Sequence, residues 1–362
     1  MIILRGYIKH FQRQFSIICY RNSSKMVKAK SFIYAKHFKD MPQASNFDLI
    51  EEELPEIKDE EFLCEAVFLS IDPYMRAYAS MLPVGITMIG SQVAKVIDSK
   101  NLQYPVGSYV LGSFGWRSHT IWGPNNKKKS SLEQTPYIVP DLIHHPISLY
   151  LGILGMTGNT ALFGFLDVCK PMAGETVVIT GAAGAVGSHV GQIAKIKGCR
   201  VIGISGTDEK GEWLKSIGFD DYINYKTVTN FSVKLKELAP NGIDCYFDNV
   251  GGELTSLIMQ QMNKFGRISV CGSISAYNND YNSLPKATIL QPSIVANQLT
   301  MSGIHATNYY DRWMSGIKQN KMWLEEGKLI YKEHVVDGFE NMPNALIGIL
   351  NGVNTGKVVV KV

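Results

Sequence analysis

No Cys-x-x-Cys pair occurs in the 362 residues, although six cysteines, Cys19, Cys64, Cys169, Cys199, Cys245 and Cys271, are scattered along the chain. The missing pair excludes the cysteine lobe of a structural zinc site. Several of these cysteines lie inside apolar runs, as the reduced, buried thiols of an intracellular protein do, rather than in a disulfide framework. No apolar stretch approaches the roughly 18 to 20 residues that a membrane-spanning helix needs. Charge of one sign is scarce: 36 Lys and Arg against 32 Asp and Glu leave a formal +4. No extended basic and aromatic array offers itself to nucleic acid, and the run Lys127, Lys128, Lys129 reads as a solvated loop. Acid is absent from the first 25 residues, which carry Arg5, Lys9, Arg13, Arg21 and Lys25; the first acidic residue is Asp40. That stretch reads either as an amphipathic mitochondrial targeting peptide or as an incidental extension before Met26, and is set apart from the fold. A cytoplasmic protein is expected, or a mitochondrial one if residues 1–25 act as a transit peptide. What remains is ordinary for a globular chain, 45% hydrophobic and 19% charged, and long enough for two domains.

Two further absences sit in residues 176–210. Thr176 to Thr180 is a short apolar run punctuated by Pro171, Gly174 and Gly181, the pattern of a buried parallel strand. A small-residue turn follows, then a helix pattern through Val190, Ile193 and Ala194 closed by Lys197 and Gly198, then a second apolar run, Val201 to Ile204. This βαβ unit is suited to holding a diphosphate, because small residues let the backbone approach and the helix N-terminus offers free N–H groups. The G-x-G-x-x-G fingerprint lacks its first glycine, replaced by Ala182, while Gly184 and Gly187 fill the second and third places. Also lacking is the acidic residue at the end of the second strand that would bind the ribose hydroxyl of NAD. Ser205, Gly206 and Thr207 stand there, with Lys210 beyond and Asp208 and Glu209 slightly late. Room and an ammonium suit a phosphate, so the expected cofactor is NADP(H).

The chain from Met26 to about Asp141 reads as short strands with no helical periodicity. Within it, Tyr74 lies in a Pro-fixed turn, Ile71-Asp72-Pro73-Tyr74-Met75-Arg76, where it either packs or faces a substrate. Residues 142–170 turn helical, and the segment Gly155 to Ala161 between two helical stretches marks the domain crossing. Strand and helix then alternate: a helix at Glu212–Ile217, a strand ending at Tyr225, a helix near Lys234–Leu238, a strand Cys245–Phe247 leading to Asn249, a helix about Leu254–Asn263 and a strand Arg267–Cys271. The fold class expected is α/β, with a doubly wound parallel sheet whose carboxyl-end rim collects Ser205, Tyr225, Asn249 and the loop 271–277. A helix at Trp313–Leu324 precedes final strands at Val335–Val336 and Lys357–Lys361 that return to the first domain. The expected layout is an extension at 1–25, a β-rich domain at 26–150 and 318–362, and an inserted NADP-binding domain at 151–317.

The segments DPYMR (72–76), GAVGS (184–188), VGQIAK (190–195), DCYFDNVGGE (244–253), KFGRI (264–268) and GFENMP (338–343) together resemble the zinc-independent branch of the medium-chain dehydrogenase/reductase superfamily, from Met26 to Val362. Where zinc-bearing members have Gly-His-Glu, this chain has Gly90-Ser91-Gln92, and no metal is expected. The resemblance implies a GroES-like β-rich domain beside a Rossmann domain, commonly as a homodimer, with residues 299–306 as a candidate joining strand. It implies Gly184, Ala185, Val186 and Gly187 at the diphosphate, Lys210 and Tyr225 near the 2′-phosphate, and Asn249 after the fourth strand. It also places Cys271, Gly272, Ser273, Ile274, Ser275, Ala276 and Tyr277 beside the nicotinamide, and Asn354 in the tail. The implied reaction is NADPH-dependent reduction of the carbon–carbon double bond of α,β-unsaturated ketones and aldehydes, including 15-oxo-prostaglandins and alkenals, with oxidation of the leukotriene B4 12-hydroxyl as a further activity. Tyr277 is the candidate donor to the enolate oxygen, unless it only packs on the nicotinamide, and Tyr74 shapes the substrate side. The family's Pro-Gly pair before Thr160 appears here as Thr157-Gly158-Asn159, and the 278–293 loop differs from the family's Pro-rich version; both border the substrate. A quinone reductase of the same branch, or an NADP-binding protein without turnover, are the alternative readings.

Overall fold

A computed structural model describes residues 26–125, 135–140, 142–279, 290–362 and the single positions 284 and 288. The basic stretch 1–25, the three lysines 127–129, Asp141 and part of the 278–293 loop lie outside the described residues. Eight strands come first: β1 (Lys28–Tyr34), β2 (Phe47–Glu53), β3 (Phe62–Ile71), β4 (Ile86–Thr87), β5 (Gln92–Ser99), β6 (Tyr109–Gly112), β7 (His119–Trp122) and β8 (Tyr137–Ile138). Next come β9 (Thr176–Thr180), β10 (Arg200–Ser205), β11 (Asp221–Asn224), β12 (Ile243–Asp248), β13 (Met262–Val270) and β14 (Thr300–Gly303), and last β15 (Glu333–Asp337) and β16 (Lys357–Lys361).

β9 to β14 form one parallel six-stranded sheet in the order β11-β10-β9-β12-β13-β14. The order in which strands are added reverses between β9 and β12, so the crevice for a ligand opens at the carboxyl ends of those two strands. β9 shows why: all five of its residues are buried, with Val177 and Ile179 packed in one core and Val178 in the core on the other face. Burial on both faces follows from a period-two strand covered by helices on each side. Each such side chain contributes about 1.5–3 kcal/mol relative to exposure.

The remaining strands build a three-stranded sheet, β2-β1-β4, and a seven-stranded one in which β15-β16-β3-β5-β6-β8 run side by side with β7 also on β3. β16 pairs antiparallel with β3 from Val358↔Ile71 to Lys361↔Phe68. The last strand therefore completes the N-terminal sheet, and the parallel sheet is inserted between them. The protein is a mixed α/β chain with a β-rich N-terminal part and a Rossmann-type sheet.

Several boundaries differ from the sequence reading. The segment from Met26 onward contains a helix, Tyr74–Ala79, which Pro73 opens in helical geometry, so Tyr74 begins a helix rather than sitting in an open turn. The helix of the second unit runs Asp208–Ser216, started by the Thr207 hydroxyl accepting from the Lys210 N–H, and the next is Phe231–Leu238, capped by Asn230. The helix expected at 254–263 is Gly252–Met259, because β13 already begins at Met262. Gly155 to Ala161 does not separate two helices: it starts the helix Met156–Phe163, after a 3-10 turn at Ile147–Leu151.

Candidate active site

One cleft of about 1090 Å³ runs across the carboxyl ends of β9, β10, β12 and β13 and over the edge of the N-terminal sheet. At its centre lies the turn after β9, Gly181 to Gly184, and the helix Ala185–Ile196 that Gly184 opens. Gly187 meets the turn so closely that a Cβ there would stand 2.5 Å from the Gly181 carbonyl oxygen and 2.7 Å from the Ala182 Cα. Ala182 is fully buried, facing away from the cleft, so the position of the missing first glycine tolerates a methyl while the third does not. Gly184, Ala185, Val186 and Gly187 all line the cleft.

The C-terminal tail closes over this turn. The Gly356 N–H donates to the Ala183 carbonyl at 2.8 Å, and Gly356, with φ of 73° and no room for a Cβ 2.0 Å from the Lys332 carbonyl oxygen, can only be glycine. Asn354 lines the cleft, its amide donating to the Gly356 carbonyl at 2.9 Å. The Lys210 ammonium donates to the Gly352 carbonyl at 2.6 Å, so Lys210 and the tail share one end of the cleft with Ser205 and the half-exposed Tyr225.

Lys226 joins that end, and sequence reasoning missed it. Burial pulls the Lys210 ammonium below its ordinary value, with Lys226 adding to the effect and Glu209 opposing it. Two cations held together, with Glu209 the lesser of the two charged influences on Lys210, suit an anionic group. Asp208, the acid nearest the position an NAD-binding carboxylate would take, accepts from the Asn224 amide at 3.1 Å instead. The lysine pair, the close glycine turn and the free helix N-terminus together fit a dinucleotide carrying an additional phosphate.

The β12 end is fixed by Asp248. Its carboxylate accepts from the Val250 and Gly251 N–H groups at 2.9 Å each and from the hydroxyls of Thr180 and Thr255, while its carbonyl accepts from Cys271 and Gly272. This holds the two loops together. Asn249 lines the cleft and donates through its amide to the Thr180 carbonyl at 2.7 Å. Of the loop after β13, Cys271, Gly272, Ile274, Ser275 and Tyr277 line the cleft, while Ser273 and Ala276 are not among its lining residues. Ser273 instead donates its N–H to the Tyr277 hydroxyl at 3.3 Å, which orients the phenol and leaves its own proton to donate. Burial raises the Tyr277 phenol above its ordinary value, against the Ser273 N–H, and pushes the Cys271 thiol up to about 12. Both groups are thus neutral at physiological pH.

The far wall is tyrosine-rich. Tyr74 and Tyr78, one helical turn apart with rings 5.9 Å apart, line it with Tyr310. Burial holds the Tyr74 phenol well above the ordinary range, Asp72 adding to the effect and a hydrogen bond with Ser91 opposing it. Thr157 and Thr160 also face the cleft, but Asn159 does not: it is buried and donates to the Trp313 carbonyl at 3.0 Å. Only part of the Thr157-Gly158-Asn159 departure therefore bears on the site. Of the three residues that stand where zinc-bearing members have Gly-His-Glu, Ser91 takes the place of the histidine and lines the cleft, while Gln92 is buried and its amide braces the carbonyls of Gly115 and Arg117. Among the described residues, no group of three or more His, Cys, Asp or Glu side chains is arranged to hold a metal ion, and no helix is long and apolar enough to cross a membrane.

A Rossmann-type sheet with a close-packed glycine turn, set against a β-rich part, is the architecture of the medium-chain dehydrogenase/reductase type. Residues 30–130 match the model of the N-terminal domain of oxidoreductase, and residues 185–319 that of zinc-binding dehydrogenase. Prostaglandin reductase 1 of Bos taurus is 48% identical over 93% of this chain and 100% of its own length, and the NADP(+)-dependent 2-alkenal reductase of Nicotiana tabacum 36% identical over 93% and 98%. The crystal structure of CurA from Vibrio vulnificus in complex with NADPH superposes with a TM-score of 0.83 at 38% identity, covering 92% of this chain and 98% of that one. The chain belongs to the medium-chain dehydrogenase/reductase superfamily, in the family of prostaglandin reductase 1.

Proposed function

We propose that the protein reduces the carbon–carbon double bond of α,β-unsaturated ketones and aldehydes with NADPH. One observation supports it above the rest: a single cleft has a paired-lysine anion site at one end, a close-packed dinucleotide turn in the middle and neutral tyrosine hydroxyls at the other. Gly184 to Gly187 would hold the diphosphate with Asn354 of the tail beside them, Lys210, Lys226 and Tyr225 the 2′-phosphate, and Asn249 and the Cys271–Tyr277 loop the nicotinamide half. Bound NADPH supplies a hydride to the substrate's β-carbon. The Tyr277 hydroxyl then donates a hydrogen bond to the substrate oxygen as it takes on enolate charge; it is oriented for this by the Ser273 N–H. Tyr74 bounds the substrate from the N-terminal side.

Oxidised eicosanoids are the substrates we favour, on the names of the relatives. The domain limits 26–150 with 318–362, and 151–317, belong to this reading. So does a homodimer, supported by β14, the outer strand of the six-stranded sheet, whose four residues are all exposed. The test is NADPH oxidation against a 15-oxo-prostaglandin, 4-hydroxynonenal and a simple quinone, with NADH run alongside. Turnover of the enones with NADPH supports the reading. Reduction of the quinone alone would replace it with quinone reduction, and binding of NADPH without consumption would reduce it to a binding protein.

A further inference from the structure

Tyr78, His305 and Thr307 form a hydrogen-bonded row along the wall of the cleft. Tyr78 comes from the helix Tyr74–Ala79 of the β-rich part, while His305 and Thr307 follow β14 of the parallel sheet, 227 residues later. The Tyr78 hydroxyl is 3.1 Å from His305 Nε2, and His305 Nδ1 is 2.6 Å from the Thr307 hydroxyl. All three line the cleft with Tyr277, and His305 is the one histidine among the described lining residues.

A proton count shows what such a row offers. The phenol, the neutral imidazole and the threonine hydroxyl hold three exchangeable protons, and the two hydrogen bonds between them use two. With the ring proton on Nε2, Thr307 donates to Nδ1, the ring donates to the Tyr78 oxygen, and the phenol proton is left to point into the cleft. The other tautomer turns the row around and frees the Thr307 proton instead. An acceptor arriving at Tyr78 selects the first arrangement, in which every donor points toward it.

We propose that Tyr78 is a second hydrogen-bond donor to the substrate oxygen during enone reduction, acting beside Tyr277, with His305 and Thr307 as the positioning residues that turn its proton into the cleft. The inference rests on the reading of the cleft given above. Burial raises both phenols, Tyr78 and Tyr277, and each also feels Cys271, so both stay protonated and able to donate. Two neutral donors that line one cleft from the two halves of the protein would make a preorganised oxyanion site, where removing one donor lowers kcat on the order of 10²-fold.

Two measurements on the full chain test this. In steady-state reduction of an enone, Tyr78→Phe is expected to lower kcat roughly 10- to 100-fold with little change in KM. His305→Leu is expected to lower kcat as well, and His305→Gln, whose amide N–H can still donate to the Tyr78 oxygen, to recover most of it. In the second, the NADP+-loaded protein is titrated with the enolate of pentane-2,4-dione and binding is read by absorbance difference. Tyr78→Phe should weaken it about 10-fold, the equivalent of one hydrogen bond to a charged acceptor. Unchanged kcat and unchanged enolate binding in Tyr78→Phe would overturn the proposal, as would equal losses in His305→Leu and His305→Gln. If the wild type consumes no NADPH with any enone yet binds the enolate through Tyr78, the reaction is wrong and the oxyanion site stands. Wild-type turnover with both Tyr78→Phe readouts unmoved removes the site alone.

Discussion

The Lys357 ammonium lies 2.8 Å from a carboxylate oxygen of Asp72 and 2.7 Å from the carbonyl of Ile71, with both charged side chains more than nine-tenths buried. This ties the last strand, β16, to the end of β3 just before Pro73 and Tyr74, and Asp72 also accepts from the Ser70 hydroxyl. Burial pulls the Lys357 ammonium below its ordinary value and Asp72 opposes that. Removing one partner leaves the other charge buried without it, at a cost of about 3–5 kcal/mol. We expect Lys357→Met to lower stability by that order in urea unfolding, and Lys357→Met with Asp72→Asn to recover much of it. A loss below about 1 kcal/mol in the single variant would mean that water reaches the pair.

The sequence reading reached what local pattern encodes. β9 matched the run Thr176–Thr180 residue for residue, because a strand buried on both faces is an uninterrupted β-branched run bounded by glycine. The rim residues Ser205, Tyr225 and Asn249 were legible because strand ends in a parallel sheet face one crevice. Lys226 was within reach of the same rule, one residue beyond Tyr225. The row Tyr78–His305–Thr307 and the pair Lys357–Asp72 were not legible, since their members lie 227 and 285 residues apart and meet only through tertiary packing. Helix limits near 74 and 260 slipped for a different reason: Pro73 acts as a helix opener there, and β13 takes residues whose apolar spacing also suits a helix.

Tyr277→Phe removes a proton donor while keeping the ring. The Ser273 N–H that the phenol oxygen accepts also loses its partner, but at the exposed end of a loop. We expect kcat for enone reduction to fall on the order of 10²-fold with NADPH affinity little changed. Unaltered turnover would show that Tyr277 only packs in the cleft.

His189 sets an acid limit. It is buried in the helix Ala185–Ile196, with Nε2 3.3 Å from the Asn320 side-chain oxygen, and burial lowers it to about 4 from an ordinary 6.5, Asn320 opposing. The unfolded chain therefore binds one more proton than the folded one between these values. Its contribution is present above about pH 6.5 and is lost as pH falls toward 4, amounting to roughly 3 kcal/mol over the window. His189→Gln keeps a donor for Asn320 and does not titrate. The difference in unfolding free energy between wild type and variant should shrink or reverse as pH falls from 7 to 4, and a constant difference would exclude the buried imidazole as the cause.

Lys210 and Lys226 decide between the two nicotinamide dinucleotides. Both line the end of the cleft beside Tyr225, where burial lowers Lys210 most, Lys226 lowers it further and Glu209 opposes them, so a bound anion would favour both ammonium groups. A charge-assisted hydrogen bond to phosphate contributes about 1.5–3 kcal/mol, or roughly 10- to 100-fold in affinity. Lys210→Ala should therefore weaken NADPH by that factor and leave NADH nearly unchanged, read as the ratio of KM values or by direct titration. Lys226→Ala should do the same to a smaller extent, since Lys210 alone is fixed by a bond to the Gly352 carbonyl. The double variant should lose less than the sum of the two, because each single removal also relieves the repulsion on the other. Equal use of NADH and NADPH by the wild type would mean that Lys210 serves only to hold the tail at Gly352 and that neither lysine selects for the phosphate.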